Sequence, residues 1–301
     1  KNRLKKLGYD FKEVRKWQIT DPREYKDKII HFYLSGYSSI KIAKKFHCAK
    51  STIIKILKEE GIDRRIHRKY SVNHNFFEKI DCEAKAFYLG LMYSDGNIKE
   101  KGGVISLGLC DFKLVEDFMR DIEYTGPAYI TQPPGNRKLR KRVYISSKKL
   151  KDDLSKLGCV PNKSLILQYP TIEQVPLKWR SHFIRGLMDG DGGIDKNINN
   201  FKYTLWRGSI TGTREICEGV CNEIKELQLM DTGYKAYKKK KDQKNTWVFA
   251  SWGKRCIKFL DWVYKDATIY LDRKYQKYLL AKEFYKNRKT HNVPLKPYIP
   301  K

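Results

Sequence analysis

Two stretches of the chain decide its fold: residues 86–98 read AFYLGLMYSDGNI, and residues 182–194 read HFIRGLMDGDGGI. Placed in register, they share seven of thirteen positions, namely Phe, Gly, Leu, Met, Asp, Gly and Ile. A match of this kind within one chain indicates an internal repeat, which has to be recognised before a fold is assigned.

The segments that follow the two stretches also run in parallel. Strands are expected near 103–109, 126–132 and 140–147, and again near 204–211, 233–239 and 246–252; helices are expected at 112–122 and 148–157, and again at 214–228 and 254–264. Together with the helix of each quoted stretch and a strand that begins after its Gly96 or Gly192, the order is αββαββα twice. We predict an α+β fold of two pseudo-symmetric repeats, 81–175 and 176–290, with mainly antiparallel sheets.

Each quoted stretch predicts a helix with one face of small residues. Gly90 and Ser94 are four residues apart, as are Gly186 and Gly190, and residues four apart lie on one helix face. Faces of this kind allow two helix backbones to approach closely. The neighbouring large apolar residues would fill the core beside the contact: Leu91, Met92, Leu187 and Met188.

The helix contact brings two acids together. Asp95 and Asp191 would end their helices side by side, after which Gly96 or Gly192 releases the chain into a strand. Two adjacent carboxylates repel each other unless protons or cations intervene, and helix C-termini add further negative charge. Mg²⁺, bound by a few carboxylate oxygens, waters and phosphate oxygens, suits such a place and can assist phosphodiester hydrolysis.

The stretches Tyr88–Gly96 and Ile184–Gly192 resemble the two motifs of single-chain LAGLIDADG homing endonucleases. The first departs from the usual pattern by placing Tyr93 at the mid-motif acid. The resemblance covers roughly residues 80–290. It implies that Asp95 and Asp191 bind Mg²⁺, or Mn²⁺ or Ca²⁺ in its place, helped by the backbone carbonyls of Ser94 and Gly190.

The resemblance also implies an activity. Members of the family cut both DNA strands across the minor groove, leave 3′ overhangs, and read a long asymmetric site with two saddle-shaped sheets. They place a basic residue beside each scissile phosphate, a position that Lys163 and Lys274 match here. A polar position after the first hairpin of each repeat falls at Asp111 and Thr213.

A smaller unit is predicted over residues 1–66. Ile29, Ile30 and Tyr33 mark one helix that ends before Gly36; Ile40, Ala43 and Phe46 mark a second; Ile53, Ile54 and Leu57 mark a third, capped by Ser51. Three short helices with a tight turn before the last are typical of a helix-turn-helix, which resembles those of resolvase-like and phage regulators. A basic linker, 67–80, would join it to the repeats, and 291–301 would form a tail.

The charge balance predicts a polyanionic partner. Lys and Arg number 63 against 34 Asp and Glu, which gives a formal charge of +29. A solubilising lysine-rich surface is the alternative. We expect double-stranded DNA, contacted by residues of the helix-turn-helix, the linker and the two basic hairpin loops: Lys50, Ser51, Thr52, Lys55, Arg64, Arg65, Arg68, Arg137, Lys138, Arg140, Arg142, Lys238, Lys239 and Lys240.

The remaining features bear on location and assembly. No stretch approaches the roughly 18 apolar residues of a membrane-spanning helix. The seven cysteines have no zinc-site spacing, and Cys217 and Cys221 fit a helix core, so we expect a reduced, intracellular protein in the cytoplasm or nucleoid of the host cell, or a phage or organelle equivalent. The internal repeat favours a monomer.

Three other functions were weighed against DNA cleavage. A non-catalytic DNA-binding regulator would not need both Asp95 and Asp191. An intron RNA maturase of the same fold stays open, although a helix-turn-helix suits duplex DNA better than the deep groove of RNA. An intein is disfavoured, because Val293 follows His291 and Asn292 where a Ser, Thr or Cys nucleophile would be required.

Overall fold

The structure, a computed structural model, describes residues 21–62, 70–132, 134–135, 137–199, 203–229, 235–239 and 244–287. The chain divides into two compact units, Lys1–Arg68 and Lys69–Lys301. Each unit has a hydrophobic core of its own among the described residues.

The first unit contains three short helices after a 3-10 turn at Pro22–Tyr25. They are α1 (Lys26–Leu34), α2 (Ser39–Lys45) and α3 (Lys50–Glu59). Gly36, with φ +101°, follows α1, and the Ser38 hydroxyl caps α2 by accepting from the Lys41 N–H at 3.2 Å. The apolar faces of the three helices meet in a core built on Ile29, Phe46 and Ile53.

Two details of this unit were predicted wrongly. Ser51 does not cap α3, because that helix begins at Lys50 with Ala49 at the N-cap position and no capping side chain. Ile40 does not face the core either: it is 51% exposed, and its neighbour Ile42 is buried instead. The other two predicted positions of this helix, Ala43 and Phe46, are buried as expected.

The second unit confirms the predicted α+β class and the repeated αββαββα order. The first repeat consists of α4 (Glu83–Ser94), β1 (Gly96–Ile98), β2 (Val104–Leu109), α5 (Phe112–Asp121), β3 (Ala128–Thr131), β4 (Arg140–Ser146) and α6 (Lys148–Lys156). Its antiparallel sheet, sheet A, has the strand order β1-β2-β4-β3. Residues 70–80 pack onto this repeat, with Phe77 fully buried and Asn73 N–H bonded to the Ile122 carbonyl.

The second repeat follows the same plan and then extends it. It consists of α7 (Arg180–Asp191), β5 (Gly192–Asn199), β6 (Tyr203–Gly212), α8 (Arg214–Glu226), β7 (Tyr237–Lys238), β8 (Trp247–Trp252) and α9 (Gly253–Val263). Sheet B has the order β5-β6-β8-β7. Strand β7 is shorter than the predicted 233–239, and the additional helix α10 (Asp272–Asn287) was not predicted.

Corresponding strands of the two sheets pair in the same register. Gly96 lies opposite Leu107 in sheet A, and Gly192 lies opposite Ile210 in sheet B. One face of each sheet is buried under helices, as Val143 in sheet A and Phe249 in sheet B demonstrate. The other face, here called the open face, exposes side chains such as Tyr144 in sheet A and Tyr237 in sheet B. None of the described helices is long and apolar enough to span a bilayer.

Candidate active site at the paired helix ends

Helices α4 and α7 pack against each other through their glycines. A Cβ atom added to Gly90 would lie 2.2 Å from the carbonyl oxygen of Phe183, and one added to Gly186 would lie 2.1 Å from that of Phe87. Contacts this short are impossible for a real side chain, so both positions require glycine. The reciprocal arrangement places the two helices side by side around a local two-fold axis, as the repeat predicted.

The same packing brings Asp95 close to the last turn of α7. A Cβ atom at Gly190 would lie 1.8 Å from the Ser94 hydroxyl and 2.9 Å from Oδ2 of Asp95. Gly190 immediately precedes Asp191, so the absence of a side chain at this position leaves room for the two acids at one end of the helix pair. Asp95 is half-buried and Asp191 is exposed, so neither is sealed in a dry interior.

The surroundings of the two aspartates disfavour their negative charge. Burial raises the pKa of Asp95, and the nearby carboxylate of Asp191 raises it further. The protein packed around the Asp191 carboxylate removes enough water to raise the pKa of that group as well. A cation at this place would relieve both effects, because a positive charge stabilises the ionised carboxylate.

Two buried lysines meet these helix ends. Lys163, in a short 3-10 helix (Lys163–Leu165), donates from Nζ to the Gly96 carbonyl at 2.7 Å and to that of Ser94 at 3.3 Å. Lys274, in the first turn of α10, donates to three carbonyls, those of Met188 at 2.5 Å, Asp189 at 2.8 Å and Gly192 at 2.8 Å. Burial lowers the pKa of Lys274 to about 8. The positive charges of both lysines offset part of the rise in the pKa values of Asp95 and Asp191.

Gly96 and Gly192 begin strands β1 and β5 at the ends of helices α4 and α7, as predicted. Neither adopts a left-handed conformation, and Gly192 is extended with φ −104° and ψ 179°. A Cβ at either position would lie 2.6 Å from a carbonyl oxygen of the preceding helix, that of Met92 or Met188. The two glycines therefore allow each strand to start directly against the end of its helix.

The two repeats differ at the residue two positions before each aspartate. Tyr93 donates its hydroxyl to the Leu157 carbonyl at 2.5 Å and packs edge-on against Phe183. Asp189, at the equivalent position, is buried, and burial raises its pKa to about 7. Its Oδ2 accepts from the Leu271 N–H at 2.8 Å. The repeat is therefore not chemically symmetric around the site.

The residues at the helix ends fit a hard divalent cation. Carboxylate and backbone carbonyl oxygens are the ligands such ions prefer, and Mg²⁺ needs only one or two carboxylates because it retains waters. Within the described ranges, no group of three or more His, Cys, Asp or Glu side chains forms an alternative metal centre. The Ser94 carbonyl already accepts from Lys163, so it would share its oxygen with any bound ion.

Basic residues of both sheets lie near the aspartates. The charge of Arg140, at the start of β4, counteracts part of the rise in the pKa of Asp95. The charge of Lys239, just after β7, does the same for Asp191. Each aspartate therefore has a basic group from the hairpin of one sheet within electrostatic range. The strong positive charge of the chain is present at the acids themselves, where it would attract a phosphate backbone.

The other predicted contact residues lie on accessible surfaces where the structure describes them. In the hairpin loops, Arg137, Lys138 and Lys238 are exposed, and Arg142 is half-buried on the open face of sheet A. On α3, Lys50, Ser51 and Lys55 are exposed and Thr52 is half-buried. Four predicted residues lie outside the described part: Arg64, Arg65, Arg68 and Lys240.

The polar positions assigned after the first hairpins lie at the N-terminal ends of helices α5 and α8. Thr213 is fully buried, and its hydroxyl caps α8 by accepting from the Ile216 N–H and donates to the Leu167 carbonyl at 2.6 Å. Asp111 precedes α5 as its N-cap residue, without a capping hydrogen bond from its side chain. The Thr213 hydroxyl is therefore engaged in local hydrogen bonds through both its donor and its acceptor side.

Sequence reasoning missed a buried ion pair that ties the two repeats together. Arg185, with no exposed surface, donates from Nη2 to Glu83 Oε1 at 2.6 Å, and Glu83 also accepts from the backbone of Thr268 and Ile269. Arg185 Nη1 lies 2.8 Å from His182 Nδ1. Burial, then the Arg185 charge, lowers the pKa of His182, so it accepts as a neutral ring. The available signal was a single charged residue within the run Phe183–Met188, in which every other residue is apolar or glycine.

No protein-family model matches the chain, and no curated protein matches it. Several solved structures are similar to it. The I-LtrWI LAGLIDADG homing endonuclease bound to target DNA is 10% identical with a TM-score of 0.46, and the match covers 68% of this chain and 91% of that one.

Two further structures give similar values. The LAGLIDADG homing endonuclease I-GzeII in complex with its DNA target is 10% identical, with a TM-score of 0.44 over 69% of this chain and 93% of that one. I-SmaMI, bound to an uncleaved DNA target in the presence of calcium ions, is 12% identical, with a TM-score of 0.43 over 67% and 91%. All three TM-scores are below 0.5, so the proposed function rests on the geometry of the site.

Proposed function

We propose that this protein is a site-specific DNA endonuclease of the LAGLIDADG homing type. It would make Mg²⁺-dependent double-strand breaks in a long asymmetric DNA site and leave 3′ overhangs. The observation that carries the proposal is the pair of aspartates at the ends of two glycine-packed helices, with a buried lysine at each helix end. Two carboxylates placed together repel each other, so their position at the helix ends favours a bound cation between them.

The chain's own residues would divide the work. Asp95 and Asp191 would hold the cation, with the carbonyls of Ser94 and Gly190 beside them. When bound, Mg²⁺ supplies activation of water and stabilisation of charge on the phosphate. Lys163 and Lys274 would fix the helix ends through their carbonyl bonds and add positive charge next to the reacting phosphate. The open faces of sheets A and B would lie along the DNA.

The first unit would act as a second DNA-binding module. The support is the exposure of Lys50, Ser51 and Lys55 along α3, together with a three-helix core that leaves this face uncovered. Arg64, Arg65 and Arg68 would extend the contact along the phosphates, as would Lys240 in the second unit. A monomer that works on DNA inside a cell is part of the same proposal, since one chain already contains both aspartates.

Two alternatives predict different outcomes. A non-catalytic regulator would bind DNA without cutting it, and an intron maturase would bind structured RNA. The presence of both acids beside two buried lysines disfavours the regulator. For the maturase we find no specific supporting feature.

The test is cleavage of a candidate site, obtained by joining the sequences that flank the reading frame if it interrupts another gene. With Mg²⁺, the full chain should cut this duplex, and Asp95→Asn or Asp191→Asn should lower the rate of double-strand cleavage by roughly a thousandfold or more, because each removes a ligand charge. Binding measured in EDTA should persist. Asp152→Asn, at an exposed acid of α6, is the matched control. Undiminished cutting by either aspartate variant would refute the site.

A further inference from the structure

One arginine on sheet B is held in a fixed orientation on the open face. Gly208 of β6 faces helix α9, because a Cβ there would lie 3.2 Å from the Cys256 sulfur. Side chains alternate along a strand, so Arg207 points to the opposite, open face. Trp252 of β8 lies directly opposite Arg207 in the register and shares that face.

The guanidinium group of Arg207 is held by two neighbours. Its Cζ atom stands over the Trp252 ring at 5.3 Å from the centroid, and its Nη2 donates to the Tyr237 hydroxyl at 2.9 Å. The tryptophan restricts the plane of the group and the tyrosine restricts its rotation. A long, flexible side chain is thereby set in one orientation before any partner arrives, which lowers the entropy lost on binding.

The arginine has no acid to neutralise it within the described part of the chain. Asp195 lies opposite it on β5, but that carboxylate pairs with Lys277 of α10 at 3.2 Å. The Arg207 Nε atom is buried and has no hydrogen-bond acceptor. Nη1 and the second N–H of Nη2 also have no acceptor among the described residues. A stacked, tethered and unneutralised guanidinium is suited to a planar partner with two acceptors.

We infer that Arg207 reads a guanine in the major groove of the DNA half-site that lies against sheet B. This inference rests on the proposed function, because it takes duplex DNA as the partner of the sheet. In that groove, guanine presents its O6 and N7 acceptors side by side. The two parallel N–H donors of an arginine match this pair of acceptors, and no other base offers two acceptors in this arrangement. Exposed Lys238 and Lys239 of the same sheet would contact the neighbouring phosphates.

The preference for guanine should exist in only one half of the DNA site, the half that lies against sheet B. Gly96 pairs with Leu107 and Gly192 pairs with Ile210, so Arg207, three residues before Ile210, corresponds to Val104 in sheet A. Valine offers no hydrogen-bond donor. The repeat is therefore broken at this position in a way that distinguishes the two ends of a DNA site.

The experiment selects preferred sequences from a library of randomised DNA duplexes, using the full chain in EDTA so that no DNA is cut. The wild type should enrich a G·C pair at one position on one side of the site. Arg207→Ala and Arg207→Lys should both lose the preference at that position, by on the order of tenfold, and keep it elsewhere, since lysine lacks the planar fork. Trp252→Leu should weaken it, because the fork is no longer held.

Lys238→Ala is the matched control, because a phosphate contact should weaken binding to all sequences alike. The inference is overturned if Arg207→Ala leaves every preference intact or lowers affinity uniformly, if the wild type enriches no DNA sequence, or if only an RNA pool is enriched. Incubating the selected duplex with Mg²⁺ separates the two proposals. A guanine preference without cutting would refute the endonuclease and leave the role of Arg207 standing.

Discussion

Lys163 and Lys274 occupy matching places beside the two aspartates, yet they are bound differently. Lys274 donates to three carbonyls of the second repeat, whereas Lys163 donates to two carbonyls of the first. An ammonium group has three N–H donors. Lys163 therefore keeps one N–H free to donate to a substrate, whereas Lys274 must break one of its carbonyl hydrogen bonds before it can donate to a substrate. Each lysine is nevertheless tied to the helix end of its own repeat.

We therefore expect each lysine to serve the cutting of one strand. Lys163→Met or Lys274→Met should lower the rate of cleavage of one DNA strand by roughly a hundredfold, because one positive charge next to the reacting phosphate is lost. A supercoiled plasmid carrying the site would then accumulate as the nicked circle before it becomes linear. Lys258→Met, at an exposed position of α9, is the control. Equal slowing of both strands by each variant would contradict this division.

Among the elements, the contact between α4 and α7 depends on two kinds of interaction. Gly90 and Gly186 permit the close approach of the backbones, and the buried pair of Glu83 and Arg185 joins the start of α4 to the middle of α7. Burial would raise the pKa of Glu83, but hydrogen bonds from Thr268 and Ile269 and the Arg185 charge outweigh it and hold the pKa below its ordinary value. The ionised form is therefore the one that stabilises the fold.

Removing the acid should leave Arg185 as a buried charge without compensation. We expect Glu83→Gln to lower the free energy of unfolding at pH 7 by about 3 kcal/mol. Glu218→Gln, in an exposed pair with Arg214 on α8, should lower the free energy of unfolding far less, because solvent screens exposed ion pairs. Urea denaturation of the three proteins measures both values.

The effect of Glu83 should depend on pH in a defined direction. The pKa of Glu83 in the folded protein lies below its unfolded value of about 4.3. The stabilisation by its charge is therefore complete above about pH 4.3 and is lost as the pH falls through the folded pKa. The wild type and Glu83→Gln should therefore converge in stability as the pH falls below the folded pKa of Glu83. A difference that persists at lower pH would show that the stabilisation does not come from the charge of Glu83.

The whole molecule combines two compact units with a formal charge of +29. DNA binding that uses many phosphate contacts weakens steeply with salt, by roughly 10³- to 10⁵-fold between 50 and 200 mM for six to ten contacts. Each unit has its own core, so the second unit should keep its fold when the first is removed.

A chain starting at Lys69 should therefore retain Mg²⁺-dependent cleavage but bind more weakly, with a shorter footprint and a smaller slope of log affinity against log salt. Footprinting and titrations at several salt concentrations measure these changes against the full chain. Loss of all cleavage in a truncated chain with intact secondary structure would contradict the assignment of chemistry to the second unit alone.

The repeat, the element order and the position of Asp95 and Asp191 were open to prediction from the sequence by itself, because glycine spacing and apolar periodicity are local signals. The resemblance pointed to Lys274 as a residue of the site, but only the tertiary structure decided which atoms it and other distant residues contact. Lys274 contacts the end of α7 from a helix that has no counterpart in the first repeat. Arg185 pairs with Glu83, which is about a hundred residues away in the sequence. Such pairs depend on how helices and sheets pack, and local sequence patterns do not encode the partner of a long charged side chain.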